Sequence, residues 1–194
     1  MIIALMGTQC VGKTTTLRGF LDRHPEYAES KTNYRDFIKE KGLKINREGN
    51  CESQRIILDL MVDDFRQSRG RNDIIIDRTV MDAFIYGLWH FINNIKDSGY
   101  SKPQILEQFE IMFRELEGYD HIFFIPLAKN DNIPVIADGL RDTDEEYRWE
   151  IDRLFNKTIR VAKDLSDLLG RRFNITPIWG TTEERIALME KTIA

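Results

Sequence analysis

Four residues near the start of the chain have the types and spacing that phosphate binding requires. The segment GTQCVGKT follows the pattern G-x-x-x-x-G-K-[ST] and lies between an apolar run and an amphipathic one. Glycines let the backbone curl so that successive N–H groups point inward, and the following helix start adds partial positive charge. The lysine brings a full charge to terminal phosphates, and the threonine hydroxyl is a magnesium ligand. The predicted phosphate-binding residues are Gly7, Thr8, Gln9, Cys10, Val11, Gly12, Lys13, Thr14 and Thr15.

A phosphate loop of this kind works with an acidic residue at the end of a neighbouring strand, which holds the magnesium shell. The apolar run 121–126 has no carboxylate at its end, whereas another apolar run ends in IIIDR. Because the carboxyl ends of parallel strands face bound ligand, we predict Asp77 as the second metal residue beside Thr14, with Arg78 next to it. Asp82, four residues after Arg78, is an alternative candidate for capping the next helix.

The segment ADGLRDTDEEYR carries two arginines, Arg141 and Arg148, about two helical turns apart. Two cations in this arrangement suit a transferring phosphoryl group, whose charge spreads over its outer oxygens. For either arginine alone, the simpler interpretation is an exposed helix residue paired with Glu145 or Asp152. We predict that both arginines belong to a lid at about residues 128–148.

Short apolar runs alternate with longer amphipathic ones, a pattern typical of a parallel sheet covered by helices. The predicted strands are residues 2–6, 26–30, 73–77, 121–126 and 173–179. A chain of 194 residues, 42% of them hydrophobic and without repeats or linkers, fits one domain over residues 1–194. The polar, highly charged stretch 31–50 is predicted to be a flexible loop over a ligand site.

Three capping sequences predict where helices begin. They are SKPQ from Ser101, TDEE from Thr143 and TTEE from Thr181. After Thr143, apolar residues recur at three- and four-residue steps as far as Leu169, which predicts one long helix with a buried stripe. Arg148 and Asp152 fall off that stripe and are expected near its edge or on the open face.

Charge and composition exclude some classes of protein. A net charge of -4 argues against a dedicated non-specific nucleic-acid binder. Two cysteines, Cys10 and Cys51, fit a reducing cytosol better than a disulfide-stapled secreted domain. The opening MIIALMG is too short and lacks the basic leader of a signal peptide, and no window approaches the roughly 20 apolar residues of a membrane span. We expect a soluble, cytoplasmic protein with no membrane partner.

Four patches of the sequence resemble the AAA_28-type P-loop kinases, which include the nicotinamide-riboside kinase domain. The patches are the phosphate loop, DRTVMDAFIYG, DGLRDTDEEYR and TTEER, and they also resemble the thymidylate and deoxynucleoside kinases more distantly. The resemblance implies the fold of a P-loop NTPase, a three-layer α/β/α sandwich around a five-stranded parallel sheet in the order 2-3-1-4-5. It also implies ATP with magnesium as the phosphate donor.

The resemblance further implies roles for individual residues. The implied catalytic residues are Lys13, Asp77, Arg78, Arg141, Arg148 and Glu29. Asp82 and Tyr86 are implied to line the acceptor side, and Glu29 matches a strand-two acid that touches the acceptor. In relatives an arginine follows that acid closely, whereas in this chain Arg35 comes six residues after Glu29.

The sequence favours a kinase with a small nucleoside- or nucleotide-like acceptor, and it leaves several alternatives open. If Asp77 holds the metal, Glu29 or Asp36 becomes the better proton acceptor. A hydroxyl in nucleic acid is an alternative acceptor, either in a polynucleotide or on a hydroxymethylpyrimidine in DNA, because cations are concentrated in the segment 31–47. A regulatory P-loop NTPase acting on a protein partner is the alternative of another class. The oligomeric state, including a homodimer, stays open as well.

Overall fold

The computed structural model describes residues 1–96, 98–129 and 142–194. Within these residues the five strands are β1 (Ile2–Met6), β2 (Ala28–Glu29), β3 (Ile74–Asp77), β4 (His121–Phe124) and β5 (Ile175–Pro177). The seven α-helices of the same ranges are α1 (Lys13–Arg23), α2 (Tyr34–Lys41), α3 (Cys51–Ser68), α4 (Val80–Ile92), α5 (Lys102–Leu116), α6 (Glu145–Leu169) and α7 (Thr182–Ile193). None of these helices combines the length and apolarity that crossing a bilayer requires.

The strands form one parallel sheet in the order β2-β3-β1-β4-β5, which confirms the predicted α/β sandwich and its strand order. β1 lies at the centre, and its residues are buried on both faces. In the register between β1 and β3, Leu5 is paired with Asp77. The loop that follows β1 therefore begins beside the end of β3, where parallel sheets bind their ligands.

Successive residues of β1 pack into two separate hydrophobic clusters because side chains alternate between the faces of a strand. Ile3 and Leu5 pack with residues of α1 and α7 on one face of the sheet. Ala4 and Met6 pack with residues of α3, α4, α5 and α6 on the other face. Slipping the register by one residue would exchange these two sets, so the burial of both faces fixes where β1 ends and its loop begins.

The strand predictions were accurate at the centre of the sheet and too long elsewhere. β1 has the predicted bounds, and β3 is one residue shorter than the predicted segment 73–77. β2 was predicted at 26–30 but comprises only Ala28–Glu29, because this edge strand pairs with β3 at two positions only. β4 and β5 are likewise shorter than predicted.

Part of the stretch 31–50, which was expected to be a loop, is helical. α2 begins after Asn33, whose side chain accepts a hydrogen bond from the backbone N–H of Asp36. Gly42 ends the helix in the left-handed conformation, with φ 59°. Ile38 is buried and joins the hydrophobic core. Two local caps and one apolar anchor thus specify a helix in a segment whose overall composition is polar.

Two of the three predicted caps are confirmed. Gln104 accepts from the backbone N–H of Ser101, and Thr181 caps α7 by accepting from the N–H of Glu184. The predicted cap at Thr143 is wrong by one residue, because Asp144 accepts from the N–H of Tyr147 over 2.8 Å. The long helix α6 is confirmed, with 25 residues.

The expectation that Arg148 and Asp152 lie near the edge or on the open face of α6 is wrong. Their exposed fractions are 5% and 2%. Asp152 accepts from the backbone N–H of Leu127 over 2.8 Å, and Arg148 contacts the loop after β1. α6 therefore buries a polar face as well as its apolar stripe, because hydrogen bonds satisfy the buried charges.

Candidate active site

The loop that follows β1 is held in a curled conformation by its own lysine. The ammonium of Lys13 donates to the carbonyl oxygens of Gly7 and Thr8 over 2.5 and 2.9 Å. Gly7 has φ 145°, and a Cβ at this position would lie 2.7 Å from the carbonyl oxygen of Ile125. Gly12 caps α1 in the left-handed conformation, with φ 85°. The glycines of the motif therefore occupy positions where a side chain does not fit or is strained.

The charge on Lys13 is only partly compensated in this loop. Burial and the neighbouring Arg78 together lower the pKa of Lys13 to about 8, against the opposing effect of Asp82 and Asp77. Asp82 forms an ion pair with Lys13, with 4.0 Å between Oδ1 of Asp82 and Nζ of Lys13. A buried ammonium in this situation gains from an additional anion such as a phosphate.

Thr14 and Asp77 are in direct contact at the start of α1. The hydroxyl of Thr14 donates to Oδ2 of Asp77 over 2.7 Å. Oδ1 of Asp77 is buried and has no hydrogen-bond partner within the described residues. Hydroxyl and carboxylate oxygens are suitable ligands for magnesium, which commonly takes one or two protein oxygens together with water and phosphate. The pair therefore fits a magnesium ion that is shared with a bound phosphate.

A metal site built from protein side chains alone is not found in the described part of the chain. There, no group of three or more His, Cys, Asp or Glu side chains is placed to hold a metal ion. Any magnesium ion bound by Thr14 and Asp77 would thus take its remaining ligands from phosphate and water.

Arg78 follows Asp77 in a strained backbone conformation, with φ 101°. Such a conformation in a non-glycine residue costs on the order of 1–3 kcal/mol and persists only where surrounding contacts enforce it. The guanidinium lies 4.4 Å from the centroid of the Tyr34 ring and 3.9 Å from Oδ1 of Asp82. These contacts fix Arg78 between α2 and α4, beside the Thr14–Asp77 pair.

A cleft of about 500 Å³ opens beside the Thr14–Asp77 pair. Thr14, Arg18, Asp77 and Arg78 line one part of it, and residues of the segment 29–39 line the rest. Glu29, the predicted acceptor acid, is among the lining residues at the end of β2. Burial raises the pKa of Glu29, and the negative charge of Asp77 raises it further. The cleft therefore brings together the predicted acceptor residues Glu29, Asp77 and Arg78.

The two predicted lid arginines have different outcomes. Arg141 lies outside the described residues, as does most of the predicted lid at 128–148. Arg148 donates to the carbonyl oxygens of Gln9 and Cys10 over 3.3 and 3.4 Å. Arg148 therefore contacts the phosphate loop and is buried there, and its role towards a transferred phosphate stays a prediction.

Comparison with known proteins identifies the family. The sequence model of AAA_28, described as an AAA domain, matches residues 2–185. The chain belongs to the AAA_28 family. No curated protein sequence matches this chain closely enough to count as a relative.

Several solved structures share the fold of this AAA_28 chain at low sequence identity. Deoxyadenosine kinase from M. mycoides with bound dATP has 17% identity and a TM-score of 0.67, covering 100% of this chain and 99% of its own. Thymidylate kinase from Candida albicans has 16% identity and a TM-score of 0.63, covering 99% and 90%. NadR in complex with NR has 14% identity and a TM-score of 0.65, and 98% of this chain matches 50% of NadR. The chain thus spans half the length of NadR.

In this AAA_28 chain, Tyr86 and Asp82 contact the phosphate loop and are not among the residues that line the cleft. The hydroxyl of Tyr86 donates to Oε1 of Gln9, and burial raises its pKa. Asp82 accepts from the backbone N–H of Thr79 over 2.8 Å in the capping box of α4. The capping role of Asp82 is confirmed, and the position of Asp82 and Tyr86 on the acceptor side, which the resemblance implied, stays a prediction.

Arg185 of α7 is a loop contact that the sequence did not reveal. Its guanidinium is 2% exposed and donates to the carbonyl oxygen of Val11 and to Oγ1 of Thr16, over 2.9 and 3.3 Å. Burial lowers its pKa. Arg185 therefore fixes the phosphate loop from the side of α7. In the sequence it is one arginine in the charged string TTEER, with no spacing that distinguishes it from a solvated residue.

Proposed function

We propose that this AAA_28 chain is a kinase that uses ATP and magnesium and transfers the γ-phosphate to a hydroxyl or phosphate of a nucleoside- or nucleotide-like acceptor. The observation that carries the proposal is the position of the Thr14–Asp77 pair. Thr14 belongs to the phosphate loop and is hydrogen-bonded to Asp77, and both residues also line the cleft. A donor phosphate on the loop and an acceptor in the cleft meet at this pair, as phosphoryl transfer between two bound molecules requires.

Each residue of the site has a role in this proposal. Thr14 and Asp77 hold the magnesium ion, which neutralises phosphate charge and orients the terminal phosphates. Lys13 leaves its carbonyl partners for the phosphates of ATP, since an anion compensates its buried charge better than a carbonyl dipole does. Arg148 and Arg141 stabilise the charge that develops on the transferred phosphoryl group.

The proton acceptor depends on the kind of acceptor. Asp77 is occupied with Thr14 and magnesium, which leaves Glu29 and Asp36 as the carboxylates of the cleft for a hydroxyl acceptor. Asp36 already accepts a hydrogen bond from the side-chain amide of Asn33, which favours Glu29. Burial raises the pKa of Glu29, which makes it a stronger base than an ordinary carboxylate. An ionised phosphate as acceptor needs no base.

The solved structures of similar fold support a small acceptor. Deoxyadenosine kinase and thymidylate kinase carry kinase activity in their names, and NadR is seen with NR and also with NAD and AMP-PNP. The cleft of about 500 Å³ is in the size range of small-molecule sites. Both observations favour a kinase over an NTPase that only regulates a protein partner.

The test is transfer of radioactive label from γ-labelled ATP with magnesium. The acceptor panel contains nucleosides, nucleotides, nicotinamide riboside, and DNA with and without hydroxymethylated pyrimidines. We expect label on one small acceptor with the wild type and none with Lys13→Ala, because the phosphates lose their closest fixed charge. Release of free phosphate without label on any acceptor would contradict the kinase and favour a regulatory NTPase.

A further inference from the structure

The cleft beside Thr14 and Asp77 carries an excess of positive charge in an acidic protein. The chain has a net charge of -4. Its cleft is nevertheless lined by the cations Arg18, Lys31, Arg35, Lys39 and Arg78, against the carboxylates Glu29, Asp36 and Asp77. A concave surface lined by charges of one sign focuses the field and raises the local concentration of an oppositely charged ligand. The lining therefore favours an anion.

Several of these cations lack a carboxylate partner. Within the described residues, no carboxylate lies within 4.0 Å of the charged groups of Arg18, Lys31 or Lys39. Two of the three lining carboxylates are engaged elsewhere, because Asp36 accepts from the side-chain amide of Asn33 over 2.5 Å and Asp77 accepts from Thr14. The third, Glu29, interacts with Arg18 only over a longer distance. Like charges that are held together without counterions gain when an anion binds between them.

α2 presents two of the cations together with its N-terminal end. Arg35 and Lys39 are four residues apart and so lie on the same face of α2. The first turn of this helix, which begins at Tyr34, also lines the cleft. Backbone N–H groups at a helix start and two basic side chains on one face are together suited to a phosphate group.

We propose that the acceptor is a nucleoside monophosphate, whose phosphate is attracted by Arg35, Lys39 and the other cations of the cleft. This inference rests on the kinase function proposed above. The cleft of about 500 Å³ has room for one small ligand, which favours a free nucleotide over a polymer. A neutral nucleoside brings no anion to Arg18, Lys31 and Lys39, the cations of the cleft that form no close ion pair within the described residues.

The reaction is then transfer between two phosphates. An ionised oxygen of the acceptor phosphate forms a bond to the γ-phosphorus of ATP. The bond from that phosphorus to the oxygen shared with the β-phosphate breaks, and its electron pair stays on the departing ADP. The attacking oxygen carries no proton, so no base takes part.

The experiment compares each nucleoside with its 5′-monophosphate as acceptor. We expect kcat/KM to be at least about 100-fold higher for one monophosphate than for its nucleoside, as charge-assisted hydrogen bonds to a phosphate provide. Arg35→Gln and Lys39→Gln should each raise the KM for that monophosphate about tenfold and leave the KM for ATP within about twofold. Lys41→Gln is the matched control, because Lys41 lies on the same helix outside the cleft and should change neither.

Binding measured without ATP separates this inference from the kinase function. Equilibrium dialysis should show monophosphate binding that Arg35→Gln and Lys39→Gln weaken and Lys41→Gln does not. That result without transfer to any acceptor would support a monophosphate site in the cleft but reject the kinase, and with it the role of the monophosphate as acceptor. Equally efficient transfer to the nucleoside, or transfer to oligonucleotides only, would overturn the inference and leave the kinase standing. Absence of both binding and transfer with every monophosphate would also overturn it.

Discussion

The hydroxyl of Thr14 donates a 2.7 Å hydrogen bond to Oδ2 of Asp77 and so joins the phosphate loop to the neighbouring strand end. Sheet register brings the two residues together, because Leu5 of β1 is paired with Asp77 of β3. The second carboxylate oxygen, Oδ1, is buried without a hydrogen-bond partner in the described residues. The sheet thus positions the hydroxyl oxygen of Thr14 and the carboxylate of Asp77 for a metal ion, where the phosphate loop meets the cleft.

Lys13 should make the stability of the protein depend on pH. Its pKa is lowered from 10.5 to about 8 by burial, so the protonated side chain destabilises the folded state at neutral pH. As the pH rises from 8 towards 10.5, the folded protein binds fewer protons than the unfolded chain and gains stability. Relative to Lys13→Met, the wild type should gain about 2 kcal/mol in free energy of unfolding between pH 7 and pH 10.

Urea unfolding of both proteins at the two pH values measures this difference, because groups common to both proteins cancel. Lys44→Met serves as the control, since Lys44 is an exposed lysine. An equal stability difference between wild type and Lys13→Met at pH 7 and pH 10 would contradict the buried charge.

Gly7→Ala should disrupt the phosphate loop. A Cβ at Gly7 would lie 2.7 Å from the carbonyl oxygen of Ile125, in a backbone conformation with φ 145°. We expect the free energy of unfolding to fall by about 1–3 kcal/mol more than in Gly42→Ala, together with loss of ATP binding. Gly42 also has positive φ, but nothing lies within 4 Å of its Cβ position. Equal urea midpoints and retained ATP binding in both variants would count against this geometry.

Arg148→Lys should slow phosphate transfer more than it weakens the fold. Lysine keeps the positive charge but loses the planar fork that reaches the carbonyl oxygens of Gln9 and Cys10. We expect the single-turnover rate to fall at least about tenfold, while Arg153→Lys on the exposed side of the same helix changes it less than about twofold. If the melting temperature fell and the rate stayed the same, Arg148 would have a structural role only.

Arg185→Leu should lower the stability of the protein and its affinity for ATP, because Arg185 holds the phosphate loop through Val11. The substitution leaves the buried carbonyl oxygen of Val11 without its 2.9 Å donor, which costs about 1–3 kcal/mol. ATP affinity should fall with it, because the loop loses a fixed anchor. Arg23→Leu is the comparison, since Arg23 is 45% exposed and its 3.7 Å ion pair with Glu190 contributes about 1 kcal/mol or less. Urea unfolding and ATP titration of both variants give the answer, and equal effects would reject the anchor.

The sequence was sufficient for the parts of the fold that depend on local signals. β1 is a short apolar run that ends at a glycine, so its bounds followed from the sequence alone. Thr181 and Glu184 form a capping box within four residues, and Gly7 to Thr14 form one contiguous motif. β2 was misjudged because its length is set by pairing with β3 across the sheet, which is not a local property.

The site was predicted only where chemistry and strand ends coincide. Thr14 and Asp77 were expected together because Asp77 ends one strand of a parallel sheet and the loop with Thr14 follows another. Arg148 was expected near the edge of the apolar stripe or on the open face, since periodicity counts apolar residues and does not show that a polar face packs against loop carbonyls. The contact between Arg185 and Val11 joins residues 174 positions apart. No sequence spacing specifies such a contact.

The role of the Thr14–Asp77 pair as the metal site is tested most directly by the magnesium dependence of γ-phosphate transfer by Asp77→Asn. Asparagine is nearly isosteric but removes the charge from the oxygens that face the metal position. We predict transfer reduced at least about 100-fold, with half-saturation shifted to higher magnesium concentration. Asp73→Asn, at the opposite end of the same strand, should behave as wild type. If Asp77→Asn and Asp73→Asn show the same rate and the same magnesium dependence, the Thr14–Asp77 pair is not the reaction centre.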